Sequence, residues 1–323
     1  MRALIIHNPR SGFGSDAVFE FERSLLREGD ECTVRILSRD FRTREAVADA
    51  ASYDVVVLSG GDSTVTSLMH ALIGTDVPVC VFPSGTENLL SATIGNAPEP
   101  AALARACRVG KTALLDLTRT SWLATDGTRH TSGVGLLAGV GYDMQLLHSS
   151  LTAPGTFGNA FFFATTLQST HPTVASIQVT VDGQEHSYRG ISCLVAHDTL
   201  LPGDVQAVPG NRLDDALLDV IVLEAPGEDT KSPNRRGLID DEGNPVGRPI
   251  LRTLRGRHVD VQVSKDMPFC IDGNQTADLV RSFSAEELPR ACRVIVDTMS
   301  PYCPKDDAAP RFSGTDEIAY PEG

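Results

Sequence analysis

The chain has 323 residues, enough for two domains at roughly 150 residues each. Hydrophobic residues make up 41% and charged residues 22%, a globular mix that excludes a disordered, collagen-like or coiled-coil protein. Lys and Arg number 28 against 42 Asp and Glu, and the resulting net charge of −14 argues against nucleic acid and against broad electrostatic docking on anionic lipid, since both rely on basic residues.

The first third alternates strands and helices. Ala3 to His7 is a short apolar run closed by Asn8-Pro9 and reads as a buried strand. Val18, Phe19, Leu25 and Leu26 recur at helical spacing in a helix from Asp16 to Leu26. A second strand spans Glu31 to Leu37, and an Ala-rich helix spans Thr43 to Ala51 with Thr43 as its N-cap. Val55 to Leu58 is a third strand, followed by Gly60-Gly61 and a helix from Thr64 to Ile73. Val77 to Phe82 is a fourth strand, and Pro100 to Arg108 a further helix. Strands separated by helices of about ten residues predict a mostly parallel sheet with helices on its faces, here over residues 1–112.

From residue 113 strand signals dominate. They fall at Ala113 to Leu117, Ser121 to Thr125, His130 to Leu137, Ser176 to Val181, Ile191 to Ala196, Leu218 to Leu223, His258 to Val263 and Arg293 to Val296. Asp126-Gly127 and Asp182-Gly183 are hairpin signals. Residues 113–300 therefore read as an antiparallel β-sandwich with one helix inserted near Phe157 to Gln168. Ala225 to Pro249 is polar and reads as a long exposed loop, and residues 301–323 as a solvated, disordered tail. The seven cysteines show no C-x-x-C spacing, so neither a zinc site nor a disulfide framework is expected. The chain opens with no secretory apolar region and holds no apolar run of membrane-spanning length, so the expected location is cytoplasmic.

Three loops end strands of the parallel sheet. Gly60-Gly61-Asp62-Ser63-Thr64 joins a strand to a helix, where glycines admit close backbone approach and a helix start offers free N–H groups to an anion. A plain turn capped by Asp62 or Ser63 is the alternative. Asn8-Pro9-Arg10-Ser11-Gly12-Phe13-Gly14 repeats the arrangement after the first strand, and Ser84-Gly85-Thr86-Glu87-Asn88 after the fourth. Strand C-terminal ends are where ligands bind in such folds, so the three loops converge on one candidate site.

Taken in order, Asn8-Pro9-x-Ser11-Gly12, Gly60-Gly61-Asp62-x-Thr64 and Pro83-x-Gly85-Thr86-x-Asn88 resemble the diacylglycerol kinase catalytic-domain family, which includes bacterial lipid kinases and sphingosine and ceramide kinases and is more distantly related to NAD kinases. The resemblance continues through Gly139-Val140-Gly141-Tyr142-Asp143, through Pro202-Gly203 with Leu213 to Val220, and through Ile271-Asp272-Gly273-Asn274, and so covers about residues 1–300. It implies a three-layer α/β domain, a β-sandwich domain and an ATP site in the cleft between them. It further implies that Gly60, Gly61, Asp62 and Thr64 hold the nucleotide phosphates, Asp62 acting by position or through magnesium. Asn8, Ser11, Gly85, Thr86, Asn88 and Asn274 would line the nucleotide site, and Asp272 would be the general base. Asp215, with the carbonyls of Arg212 and Leu217, would hold a structural magnesium ion; a solvated acidic turn is the alternative there.

The implied activity is transfer of the ATP γ-phosphate, with Mg2+, to a hydroxyl of diacylglycerol or a related lipid, by a protein peripherally associated with the membrane surface. A weakly active or non-catalytic nucleotide- or lipid-binding relative, a kinase of a soluble acceptor such as NAD, and a homodimer all stay open. The chain departs from the family pattern at Ser63, Ala216 and Asn274. At Ser63 a positive φ would cost on the order of 1 kcal/mol, and Asn274 lacks the charge of the usual glutamate. An aromatic helix around Phe157 to Leu167 would either line an acyl-chain cleft or pack as core.

Overall fold

The computed structural model describes residues 1–11, 16–141, 172–201, 205–206, 208–225, 238–247, 250–272 and 274–305. The expected helix near Phe157 to Gln168, Gly12 to Gly14, Tyr142-Asp143, Pro202-Gly203 and Gly273 lie outside these residues.

The first half is mixed α/β. It contains β1 (Arg2–His7), α1 (Asp16–Arg27), β2 (Glu31–Ile36), α2 (Thr43–Ala46), β3 (Val55–Gly60), α3 (Asp62–Ala71), β4 (Val79–Pro83), α4 (Leu89–Ile94) and α5 (Pro100–Val109). The strands pair in parallel in the order β4-β3-β1-β2. Alternation sends successive side chains to opposite faces, and both faces are apolar. Ala3, Ile5, Val55, Val57 and Phe82 pack against Val18, Phe21 and Leu25 of α1 and Leu103 of α5. Leu4, Ile6, Val56, Leu58 and Val81 pack against Val65 and Leu68 of α3 and Leu90 and Ile94 of α4.

The second half is an antiparallel β-sandwich. It comprises β5 (Lys111–Ala124), β6 (Arg129–Val134), β7 (Leu137–Gly141), β8 (Ala175–Val181), β9 (Gln184–Ala196), β10 (Leu200–Leu201), β11 (Val205–Gln206), β12 (Leu218–Glu224), β13 (Leu238–Ile239), β14 (Pro245–Gly247), β15 (Ile250–Gly256), β16 (His258–Ile271) and β17 (Asn274–Val296). Its core includes Trp122, Val140, Ile177, Val195, Val220, Val261, Phe269 and Phe283. The β8–β9 hairpin turns at Asp182 and Gly183, with φ of 49° and 82°, the left-handed pair a two-residue hairpin needs.

The two halves share strands. β17 pairs along β5 and then, at Val294, runs parallel to Val79 of β4. Ala113, Leu115 and Leu117 of β5 and Cys292, Val294 and Val296 of β17 complete the core beneath α3.

Several expectations change. The segments at Ala113 to Leu117 and Ser121 to Thr125 are one strand, and Arg293 to Val296 is only the end of the long β17. Thr43 is the first residue of a four-residue helix whose N-cap is Arg42, so it does not cap. Helix α4 was not expected from the sequence. Within Ala225 to Pro249, Ala225 is fully buried, and β13 and β14 form a hairpin around buried Asp240. Tyr302 is 8% exposed and its hydroxyl accepts a hydrogen bond from the Leu213 N–H at 3.2 Å, so Pro301 to Cys303 belong to the folded body and not to a tail. The seven cysteines are free thiols.

Candidate functional site

The three loops meet. Asn8 Nδ2 donates to Thr64 Oγ1 at 2.9 Å, joining the end of β1 to the first turn of α3. Asn8 also accepts the Arg10 N–H at 3.1 Å through Oδ1. A Cβ on Gly60 would stand 2.9 Å from Thr64 and 3.5 Å from the Ser11 hydroxyl, so Ser11 closes over the glycine pair. A Cβ on Gly85 would stand 2.5 Å from the Gly61 Cα, which sets the third loop against the second. Asn88, at φ 54°, accepts the Gly85 N–H at 2.7 Å and donates to the Gly85 carbonyl at 2.9 Å, so its side chain shapes this loop. Thr86 is exposed at the loop tip. Beneath the loops, His7 Nδ1 bonds Ser59 Oγ at 2.9 Å and Ser59 donates to Ser84 Oγ at 3.0 Å, which ties together the ends of β1, β3 and β4.

Asp62 is the first residue of α3, after Gly61 at the N-cap, and its carboxylate turns to the neighbouring helix. It accepts the N–H groups of Leu89 and Leu90 at 3.1 and 3.0 Å and so caps α4. Burial raises its pKa, against those two hydrogen bonds, which lower it. Ser63 is exposed within α3 and has no positive φ, so serine adds no backbone strain there.

Asp272 stands at the end of β16 with φ 49°. Its carboxylate is held by backbone donors of the segment that leads into β7. Gly135 donates at 3.1 and 3.0 Å to its two oxygens, and Leu136 and Leu137 donate to Oδ1 at 2.7 and 3.1 Å. Its own N–H donates to the Leu137 carbonyl at 2.8 Å. The same segment presses on α3, since a Cβ on Gly135 would stand 2.1 Å from Thr66 Oγ1. Burial raises the Asp272 pKa against the three N–H bonds, and the charge of Asp62 raises it further. The carboxylate thus lies within electrostatic reach of the glycine loop. Asn274 opens β17 in register with Ile271.

The acidic turn is different. Asp214 is paired with Arg212 at 2.6 Å, Asp215 with Arg255 at 2.9 Å, and Asp219 with Arg255 at 2.8 Å. The other Asp215 oxygen accepts the Leu217 N–H at 3.1 Å. Two guanidinium groups thus meet three carboxylates, and Asp215, the carboxylate expected at a magnesium site with the carbonyls of Arg212 and Leu217, carries an arginine partner here. Among the described residues, no group of three or more His, Cys, Asp or Glu side chains stands together as a metal-ligand set.

Behind Asp272 lies a polar group that no motif marks, made of buried Asp116, His197, Asp198 and Glu287 with half-buried Thr93. A His-Asp pair directly after the apolar run to Ala196 was the available signal. Polar residues that end a buried strand need partners.

A parallel α/β half carrying glycine loops at its strand ends, continued through shared strands into an antiparallel sandwich, defines a two-domain class. Residues 2–120 match the diacylglycerol kinase catalytic domain, and residues 138–296 match the YegS C-terminal NAD kinase beta sandwich-like domain. The chain belongs to the diacylglycerol kinase catalytic-domain family, which is related to NAD kinases. A diacylglycerol kinase of Mycobacterium tuberculosis (strain ATCC 25618 / H37Rv) is 32% identical over 107 residues, 33% of each chain. An uncharacterised protein of Synechocystis sp. is 25% identical over 182 residues, 55% of this chain and 40% of that one. The matched segments thus span less than half the length of these curated relatives. A solved diacylglycerol kinase from Bacillus anthracis str. Sterne superposes with TM-score 0.62 at 16% identity, covering 92% of this chain and 97% of that one. Yeast NADH kinase superposes with TM-score 0.53 at 12% identity, covering 92% and 84%. These likenesses show the fold. Membership supports a kinase of lipid-like substrates at the level of the family. Among the described residues no helix is long and apolar enough to cross a membrane.

Proposed function

We propose that the protein transfers the γ-phosphate of ATP to a hydroxyl of diacylglycerol or a related lipid. One observation carries this reading: Gly60, Gly61 and Gly85 meet at the ends of β3 and β4, while the Asp272 carboxylate is fixed beside α3 by backbone N–H donors. The chain is too acidic to collect phosphates by bulk charge, so backbone N–H groups at the start of α3 are the natural anion site. Asn8 fixes Thr64, and Asp62 fixes α4, so both flanks of that site are preset. Mg2+ usually binds through one or two carboxylates together with substrate phosphates, and in this proposal it accompanies the nucleotide phosphates.

Phosphoryl transfer asks mainly for positioning and charge stabilisation. The acceptor oxygen forms a bond to the γ-phosphorus as the bond to the bridging oxygen breaks, and ADP leaves. Asp272 orients the hydroxyl and takes its proton late, when charge has built on the attacking oxygen. Its raised pKa makes it a better proton acceptor than an exposed aspartate, provided the pH is high enough to ionise it.

The test is phosphotransfer from ATP to a panel of micellar lipids and to NAD. Asp272→Asn keeps the size and removes the base. Turnover drops by about 10²–10⁴-fold with ATP affinity nearly unchanged. Turnover that survives this substitution removes Asp272 as base, and transfer to NAD alone moves the substrate to the soluble class.

A further inference from the structure

Behind the Asp272 carboxylate the hydrogen bonding continues into the fold. Leu136 is the pivot. Its N–H holds Asp272 Oδ1 at 2.7 Å, and its carbonyl accepts the N–H groups of His197 at 2.8 Å and Asp198 at 3.0 Å. The backbone leaving β9 therefore supports the segment that aims the carboxylate.

Behind that backbone lies a buried imidazole–carboxylate contact. His197 Nδ1 lies 2.9 Å from Glu287 Oε1, with the two side chains 2% and 1% exposed. Glu287 Oε2 accepts the Thr118 hydroxyl at 2.5 Å, which anchors the pair to β5. Asp198, 1% exposed, accepts the Thr93 hydroxyl of α4 at 2.5 Å and the Leu200 N–H at 2.9 Å. Asn211 donates to the His197 carbonyl at 3.1 Å. The titratable groups facing His197 are Glu287 on β17, Asp116 on β5, the adjacent Asp198, and His70 on α3. Three carboxylates thus surround one buried imidazole. Burial pulls the His197 pKa down, but Glu287, Asp198 and Asp116 outweigh it and the net shift is upward.

We infer that His197, as an imidazolium paired with Glu287, is a positioning residue that acts through Leu136 on the Asp272 carboxylate. This rests on the assignment of Asp272 as base. Without its cation Glu287 is a buried carboxylate with no positive partner, a costly arrangement that movement of the side chain toward water relieves. That movement shifts the end of β9, and the Leu136 N–H loses its aim. The sign follows from the charge. The pair holds below the raised pKa of His197 and is lost as pH rises through it, so turnover has an alkaline limb of its own.

The experiment compares wild type, His197→Gln, Glu287→Gln, Asp272→Asn and His197→Gln in the Asp272→Asn background. It measures phosphotransfer from ATP to diacylglycerol in mixed micelles across pH, and amide hydrogen exchange at Gly135 to Leu137. His197→Gln lowers kcat by about 10- to 100-fold, the scale of a misplaced catalytic group. KM for ATP stays within about twofold, the alkaline limb disappears, and exchange at Gly135 to Leu137 rises. In the Asp272→Asn background the same change costs less than about twofold, because the group it positions is gone. Glu287→Gln carries the same expectations and replaces His197→Gln if that variant does not fold. Additive losses in the double variant, or an unchanged alkaline limb with unchanged exchange, overturn the inference while leaving Asp272 as base. Full turnover of Asp272→Asn removes the base, and the inference falls with it.

Discussion

Two neighbouring glycines in the candidate site have opposite needs. At Gly85 an added Cβ would stand 2.5 Å from the Gly61 Cα, against backbone that cannot give way, so Gly85→Ala should cost about 1–3 kcal/mol of stability. At Gly61 a Cβ meets nothing nearer than 3.8 Å, so Gly61→Val should fold. Its bulk then lies at the proposed phosphate site, and ATP affinity should be lost while the thermal midpoint is kept. Calorimetric titration beside a thermal melt separates the two, and unchanged ATP affinity in folded Gly61→Val would falsify this phosphate site. His70 gives a pH prediction. Burial, with the charges of His197 and Arg119, lowers its pKa to about 4, so the folded protein keeps it neutral. The unfolded chain binds the proton from pH 6.5 downward, so stability is full above that value and is lost as pH falls toward 4. Unfolding titrations should show wild type losing about 3 kcal/mol more than His70→Gln across that window. At this scale motif spacing singles out the glycines and Asp272, and the fold brings the glycine loops together and fixes the Asp272 carboxylate. The sequence was silent on Glu287, whose partners His197 and Thr118 are far away in sequence.

At the scale of elements, the short approach to β7 has the most to do. Gly133 and Gly135 lie flat on α3, where a Cβ would stand 2.2 Å from the His70 ring and 2.1 Å from the Thr66 hydroxyl. Gly135→Ala should therefore lift the segment from α3 and move the N–H groups that hold Asp272. Turnover should fall more steeply than ATP affinity, and Thr66→Ala in the same chain should restore part of it, since the nearest clash is with the hydroxyl. Kinetics of the two variants and of the pair test this, and a loss that Thr66→Ala leaves untouched would place the damage elsewhere. The parallel strands were legible because they are short and apolar on both faces. The long sandwich strands were not, because β17 carries Glu286, Glu287 and Pro289 in mid-run. The structure absorbs them with a shift of register between Leu288 and Cys292, where Arg290 takes φ 54° and donates its N–H to Asp116. Helix α4 escaped notice because its cap is Asp62, a residue far away in sequence.

For the whole molecule, the net charge of −14 bears on how a lipid substrate is reached. With 28 basic residues against 42 acidic ones, contact of the proposed lipid kinase with a bilayer would rest on apolar groups more than on charge. Sedimentation with liposomes should be weak and change little with added salt, and tight, salt-sensitive binding to anionic vesicles would contradict this. The shared strand has a consequence of another kind, in time. During synthesis the first four parallel strands leave the ribosome long before β17. The core under α3 still lacks Cys292, Val294, Val296 and Tyr302 at that stage. Domains usually fold in order from the N-terminus as they emerge, but here the opening half stays unfinished until nearly the last described residue is made. A nascent chain stalled at residue 120 should be protease-sensitive, and protection should arrive in one step once residue 302 has cleared the exit tunnel.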